Sequence, residues 1–438
     1  MILDAIAEVD APEATLIQSL RPVAVDISRL NEEHGALLQI VRLLIGVVPN
    51  CDPILAIWPT GFRSYNLLVS NLLNLPFSVI GFGPPAVTLG LALTAASWTA
   101  RCSYCTAHTC SFTLRRGAPS EKLAGVLTPA EKAAVAAGEA LARIPSAFSP
   151  DLREDLLRHF SAADAERLAL GIALMGFLNK FMDALGIDLE DAAVAEVSEV
   201  LRPSGWTPGK HRVSDEHPAE PSLQARPGGR DTLATKLTLL RHVPAAIRLD
   251  QAWTRGVPSR WPEVGTFLKT ETGYDFPLLA KVRSRRAVRA IATVLRDNLN
   301  ASESRLGLRV KALSGLVYAT VVGNEGLAGE ARELASRTSP SAAPESVEAV
   351  VRFAAEPSEL GESGISDALG RLGSLPGLGN GAALALLLAK AISPSPAAVP
   401  APLAARVSKA LSPGAQVELV VWVAVQQMLH RLGGYLGA

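Results

Sequence analysis

Charge of either sign, aromatic residues and cysteine are all in short supply in this chain of 438 residues. Lys+Arg and Asp+Glu both number 42, so the net charge is zero. That balance offers no basic face to nucleic acid, a polyanion or an anionic membrane surface, and no nucleic-acid or membrane partner is expected. No stretch of useful length alternates apolar and polar residues, which excludes a sheet-based core. Residues 64–100 carry no charged side chain, yet Asn66, Asn71, Asn74, Pro76, Gly81, Gly83, Pro84 and Pro85 interrupt them. The pieces are shorter than the roughly 20 residues of a spanning helix and read as buried helices. The N-terminus, Met1-Ile2-Leu3-Asp4-Ala5-Ile6-Ala7-Glu8, is acidic and lacks the basic-then-apolar order of a signal peptide. A cytoplasmic, reducing setting is therefore expected, in which a close cysteine pair is catalytic or metal-binding rather than a structural bridge.

What the chain does have is helical periodicity. Hydrophobic residues make up 48%, enough for two domains with a core each. Apolar spacing predicts helices over residues 31–48, 62–75 and 85–100, the last two apolar on nearly every face and hence central. Thr128-Pro129-Ala130-Glu131 is a capping box with proline at the first helical position. Ser149-Pro150 opens the next helix, and Ser161 begins a long one that reaches Leu185 and closes at Gly186. The class is all-α. Residues 203–231, with Pro203, Pro208, Pro218, Pro221 and Pro227 among Gly, Ser and charged residues, have linker chemistry. A second Pro/Ala stretch, 393–402, reads as a loop.

The two halves look related. Val48-Pro49, Trp58 and Gly61 recur as Val243-Pro244, Trp253 and Gly256; Leu89-Gly90-Leu91, Ala95 and Ser97 recur as Leu306-Gly307-Leu308, Ala312 and Ser314. The helix from Ser161 to Gly186 recurs from Ser412 to Gly437, with Leu178 and Leu185 matched by Leu429 and Leu436. The matches keep their order, as a tandem duplication with insertions requires. The expected organisation is a helical domain over 1–205, a Pro/Gly-rich linker over 206–232, and a second helical domain over 233–438, the two packed as a pseudo-dimer. Ala319, Val322 and Glu325 stand where the first copy has Cys102, Cys105 and His108, and the second copy has no cysteine.

Three of the four cysteines fall in one segment, Cys102-Ser103-Tyr104-Cys105-Thr106-Ala107-His108-Thr109-Cys110. A Cys-x-x-Cys pair at the first turn of a helix can close a small disulfide ring, and the helix terminus favours a thiolate. His108 lies one turn beyond Cys105, placed to take or return a proton. This is equipment for a thiolate to attack an oxidant or disulfide and for its neighbour to resolve the product.

With the apolar helix before it and Phe112-Thr113-Leu114-Arg115-Arg116-Gly117 after it, the segment resembles the alkyl hydroperoxidase D-like proteins of the carboxymuconolactone decarboxylase superfamily. The closing helix ending Asp183-Ala184-Leu185-Gly186 is also similar. The resemblance implies an all-helical homo-oligomer, here a dimer or trimer of the fused chain. It also implies a thiol peroxidase or disulfide reductase using a peroxide or disulfide substrate, an external dithiol reductant and no cofactor. By position Cys105 would be the attacking thiol, Cys102 the resolving one, and His108 part of a proton relay. Two positions depart from the pattern: Thr109 stands where the family histidine falls, and Gly90 where the relay glutamate falls. Two other readings remain: a catalytically silent scaffold or binding protein, and a non-redox decarboxylase- or isomerase-like enzyme.

Zinc held by Cys102, Cys105, His108 and Cys110 is disfavoured, because one helical segment does not easily surround a tetrahedral ion. Haem c attachment would need histidine where Thr106 stands. Cys110 reads as a core thiol, Cys51 as a loop residue, Tyr104 as packing at the pocket mouth, and Arg115 and Arg116 as a solvated helix end. His159 and His430 read as surface or cap residues. If the cysteine-free half acts as a tethered neighbour that closes the pocket, residues 1–205 expressed alone should aggregate. A soluble, active monomer of that fragment would contradict the arrangement.

Overall fold

The computed structural model describes residues 15–212, 225–226, 228–338, 344–357 and 361–437. Residues 213–224 and 227 of the expected linker lie outside them. Among the described residues every regular element is helical, 21 α-helices and four short 3-10 turns. The three early helices fall at Ile27–Ile45, Pro59–Leu72 and Ala86–Thr99, the first two shifted about one turn toward the N-terminus of the expected ranges.

The start and stop signals behave as their chemistry dictates. Thr128 and Glu131 form the reciprocal capping box of Pro129–Ala142. Ser149 and Ser161 cap Pro150–His159 and Ala162–Leu185 by accepting the backbone N–H groups of Leu152 and Asp164. Gly186 closes the long helix in the left-handed region, φ 70°. Pro413–Leu436, of the same length, is capped by Ser412 and closed by Gly437 at φ 67°.

These two 24-residue helices make the most extensive helix–helix contact among the described residues. Their backbones come close at Gly176, where an added Cβ would lie 2.9 Å from the Gln427 carbonyl. Ala162–Leu185 has the length and hydropathy of a membrane span, and 94% of that apolar window is buried inside the protein. Polar anchors also tie the two halves. Lys180 Nζ donates to the carbonyls of Ile392 (2.6 Å) and Ser393 (3.0 Å). Trp58 lies 4.8 Å from Lys311 Nζ, which is fully buried with Glu418 at 3.1 Å. His430 is not a surface residue: it is buried at this junction, with Nδ1 2.9 Å from Asn324 Nδ2. His159 is exposed in the last turn of its helix.

The Cys-x-x-Cys segment lies at the bend between Ala86–Thr99 and Ser103–Arg115, and the motif helix packs against Ala86–Thr99, Asp191–Leu201, Ala162–Leu185 and Ile27–Ile45. Hydroxyls make the burial of this polar stretch tolerable. Thr106, Thr109 and Thr113 each donate to the carbonyl four residues earlier, Cys102, Cys105 and Thr109 respectively.

Close backbone approaches set the spacing of these layers. Gly138→Ala would put a Cβ 2.4 Å from the Ala92 carbonyl, and Gly176→Ala would push on Gln427. Each should lower the unfolding free energy by about 1–3 kcal/mol in urea. Gly329→Ala, with nothing within 4 Å, should stabilise slightly. An unfolding midpoint for Gly138→Ala equal to that of the parent would contradict this packing.

Candidate active site

The bend that carries the first sulfur is strained. Arg101 sits at φ 56°, an uncommon conformation for a side chain with a Cβ. Cys102 then takes the N-cap position of Ser103–Arg115, and its Sγ accepts the Cys105 N–H at 3.4 Å. All four cysteines are free thiols, and those at 102 and 105 are 0% and 3% exposed. The two sulfurs of the motif have different surroundings.

Behind Cys102 stands a charged group assembled from two segments. Asp183, in the last turn of Ala162–Leu185, has Oδ1 2.8 Å from Lys210 Nζ and 3.8 Å from His211 Nε2. The His211 Nδ1–H donates to the Ile187 carbonyl at 2.7 Å, which turns Nε2 toward Asp183 and Cys102. The second half closes this corner: the Ala397 N–H donates to Asp183 Oδ2, and Lys210 donates to the Ala397 carbonyl at 2.9 Å.

The electrostatics follow from the geometry. Burial opposes ionisation of the Cys102 thiol, but the Cys105 thiol and the His211 imidazolium outweigh it and bring the pKa down to about 6. Burial alone would pull His211 down; the Asp183 carboxylate and the Cys102 sulfur hold it up at about 9. Burial would raise Asp183, yet Lys210 and His211 keep it at about 2. Cys105 goes the other way, well above an ordinary thiol, through burial and the neighbouring Cys102 charge. The surroundings thus favour the thiolate at Cys102 and oppose it at Cys105.

Cys105 faces a cavity of about 90 Å³ that Cys102 does not reach. Its walls are mostly apolar, with Tyr65, Leu93, Met175 and Met182 opposite the motif helix. His108 lines the same cavity, with Nε2 2.9 Å from Glu190 Oε2. Glu190 also accepts the Tyr104 hydroxyl (2.9 Å) and the Asn50 N–H (2.6 Å) on Oε1. The Tyr104 ring stands between the two histidines, its centroid 4.5 Å from His108 and 5.7 Å from His211. Beside Glu190, the buried Asp52 is raised to about 8 by burial and the Glu190 charge.

Several residues differ from their sequence reading. Cys51 is no loop residue: it begins the helix Cys51–Leu55, fully buried, with its thiol pushed up by burial and by Asp52. Arg115 and Arg116 are not a solvated end, because they pair with Glu196 (2.8 Å) and Asp231 (2.7 Å) inside the fold. Cys110 is a core thiol, fully buried. A glutamate at position 90 has no room, since a Cβ there would meet Thr113 Oγ1 at 2.4 Å. The carboxylate beside His108 comes instead from Glu190, one of four residues missed from sequence, with Asp183, Lys210 and His211. Lys210 and His211 fall in the stretch read as linker; Trp206, an aromatic in that stretch with its indole N–H on the Ser103 carbonyl, was the available signal. No metal-ligating cluster occurs among the described residues.

No family model and no curated protein matches the chain. Among solved structures, the debrominase Bmp8 without ligand is similar at 21% identity and a TM-score of 0.36, over 40% of this chain and 96% of that one. A cysteine-to-alanine variant of the same debrominase, in complex with 2,3,4-tribromopyrrole, is similar at 20% identity and a TM-score of 0.35, over 45% and 100%.

The charge assignment is testable by titration. His211 contributes stability that is whole below its ordinary 6.5 and lost as pH rises through about 9. Its imidazole should therefore remain protonated at about pH 8 by NMR, and Asp183→Asn should lower that midpoint. A His211 midpoint near 6.5 in the parent would contradict the arrangement.

Proposed function

We propose that the chain is a thiol-dependent oxidoreductase of the alkyl hydroperoxidase D type, reducing a peroxide or disulfide through Cys102 and Cys105. The observation that carries this reading is the split between the two sulfurs, a held thiolate behind and a cavity-facing thiol in front. The substrate enters the apolar cavity and meets Cys105. The Cys105 proton passes to the adjacent Cys102 thiolate, and the Cys105 sulfur attacks the peroxide, breaking the O–O bond. The departing alkoxide takes that proton and leaves as an alcohol, by way of Cys102 or the His108–Glu190 pair. Cys105 is then a sulfenic acid, and Cys102 is again a thiolate.

Cys102 next attacks the Cys105 sulfur, breaking the S–O bond and forming the internal disulfide. The hydroxide released becomes water with a proton from His211, whose imidazolium has lost its thiolate partner. Two thiol sulfurs are oxidised by two electrons and the O–O bond is reduced by two. An external dithiol carrier returns both protons and both electrons. With a disulfide substrate, the first step gives a mixed disulfide instead of a sulfenic acid. The cysteine-free half is part of this reading, since its Ala397 backbone fixes Asp183 and Lys210.

The test adds cumene hydroperoxide to the reduced protein and counts free thiols and remaining peroxide. Loss of two thiols per peroxide is expected, abolished in Cys102→Ser and Cys105→Ser and retained in Cys110→Ala. Equal peroxide consumption by the Cys102→Ser/Cys105→Ser double variant and the parent would overturn the proposal.

A further inference from the structure

The helix Pro59–Leu72 separates the thiol cavity from a second cleft. Tyr65 and Val69 line the first; Asn71, on another face, lines the second. This second cleft has a volume of about 330 Å³ and lies between that helix, the end of Leu233–Trp253 and the start of Arg285–Asn298. Three of its walls are arginines.

Arg286 is fixed in advance. Its Nε donates to Asn71 Oδ1 (2.7 Å) and its Nη1 to the Leu75 carbonyl (2.6 Å). Asn71 is itself held through its Nδ2, which donates to the Leu67 carbonyl (2.8 Å) and to Asp250 Oδ1 (2.7 Å). Arg285 and Arg289, four apart and thus one turn from each other, are exposed and meet no carboxylate among the described residues. Asp250 is the one acidic wall, and the Ser259 and Thr254 hydroxyls complete the lining. Three guanidinium groups against one carboxylate leave a positive excess, and the helix N-terminus at Arg285 adds to it. Core packing does not require this arrangement, because Arg285 and Arg289 point away from the core and repel each other.

We infer that this cleft binds a phosphomonoester. A dianion with three acceptor oxygens matches forked guanidinium donors better than a single carboxylate does. The volume is at the lower end of small-molecule sites, about 300–1,000 Å³, and leaves room for a small group beyond the phosphate. A soluble phosphorylated metabolite and a phosphomonoester lipid headgroup present the same chemistry, and the experiment separates them.

Calorimetric titration of the full chain with glycerol 3-phosphate, and with glycerol as the neutral control, reads the soluble arm. Sedimentation with phosphatidylcholine vesicles containing phosphatidic acid reads the lipid arm, with phosphatidylserine vesicles as the control for surface charge alone. One arm should show binding, weakened about tenfold or more in Arg289→Gln and abolished in Arg285→Gln/Arg289→Gln. Both side chains are exposed, so an unchanged melting temperature will show that the variants fold. Binding in neither arm would overturn the inference. So would equal binding by the double variant, by glycerol, or by phosphatidylserine vesicles.

Discussion

The site depends on a thiolate and an imidazolium that are buried together. Either charge alone would be costly away from water, so each exists because the other does. Asp183, itself paired with Lys210, and the Ile187 carbonyl hold the imidazolium in place, and the first turn of Ser103–Arg115 holds the sulfur. The pair has a particular thermodynamic signature. Folded, Cys102 has lost its proton above about 6 and His211 keeps its own up to about 9. Unfolded, the thiol titrates at 9.0 and the imidazole at 6.5. Between pH 6.5 and 9 both states therefore hold one proton between the two groups, and the pair adds no pH dependence to stability there. The thiolate form of Cys102, by contrast, is favoured across that window.

Two cysteines three residues apart thus differ in chemistry because their neighbours differ. Cys102 looks back onto charge, Cys105 forward onto an apolar cavity with His108 and Glu190. The half without cysteines is not idle packing. It brings backbone to Asp183 and Lys210, carbonyls to Lys180, and Arg431, whose charge faces both motif thiols. The connection between helix packing and site electrostatics runs through Ala162–Leu185, which packs against Pro413–Leu436 and carries Asp183 in its last turn.

Local signals made the fold legible. Ser161, Gly186, Ser412, Gly437 and the Thr128–Glu131 box each act over one turn and mean in the structure what they mean in sequence. The motif helix was legible for the same reason. The partners of its sulfurs were not, because Asp183, Glu190 and His211 reach the site through tertiary contacts that no spacing encodes. His211 was hidden among prolines and charges that suit a linker, and the carboxylate beside His108, which the family resemblance placed at position 90, comes from Glu190. Arg115 and Arg116 misled in the opposite sense: adjacent arginines at a helix end suggest solvent, but Glu196 and Asp231 come from distant segments to bury them.

The most direct measurement is an ultraviolet titration of thiolate in the reduced protein. One thiolate per chain should appear with a midpoint near 6, since the other three thiols are pushed up by burial. It should vanish in Cys102→Ser and move well upward in His211→Gln. A titration that shows no thiolate below about pH 8, or one that persists in Cys102→Ser, would contradict the account.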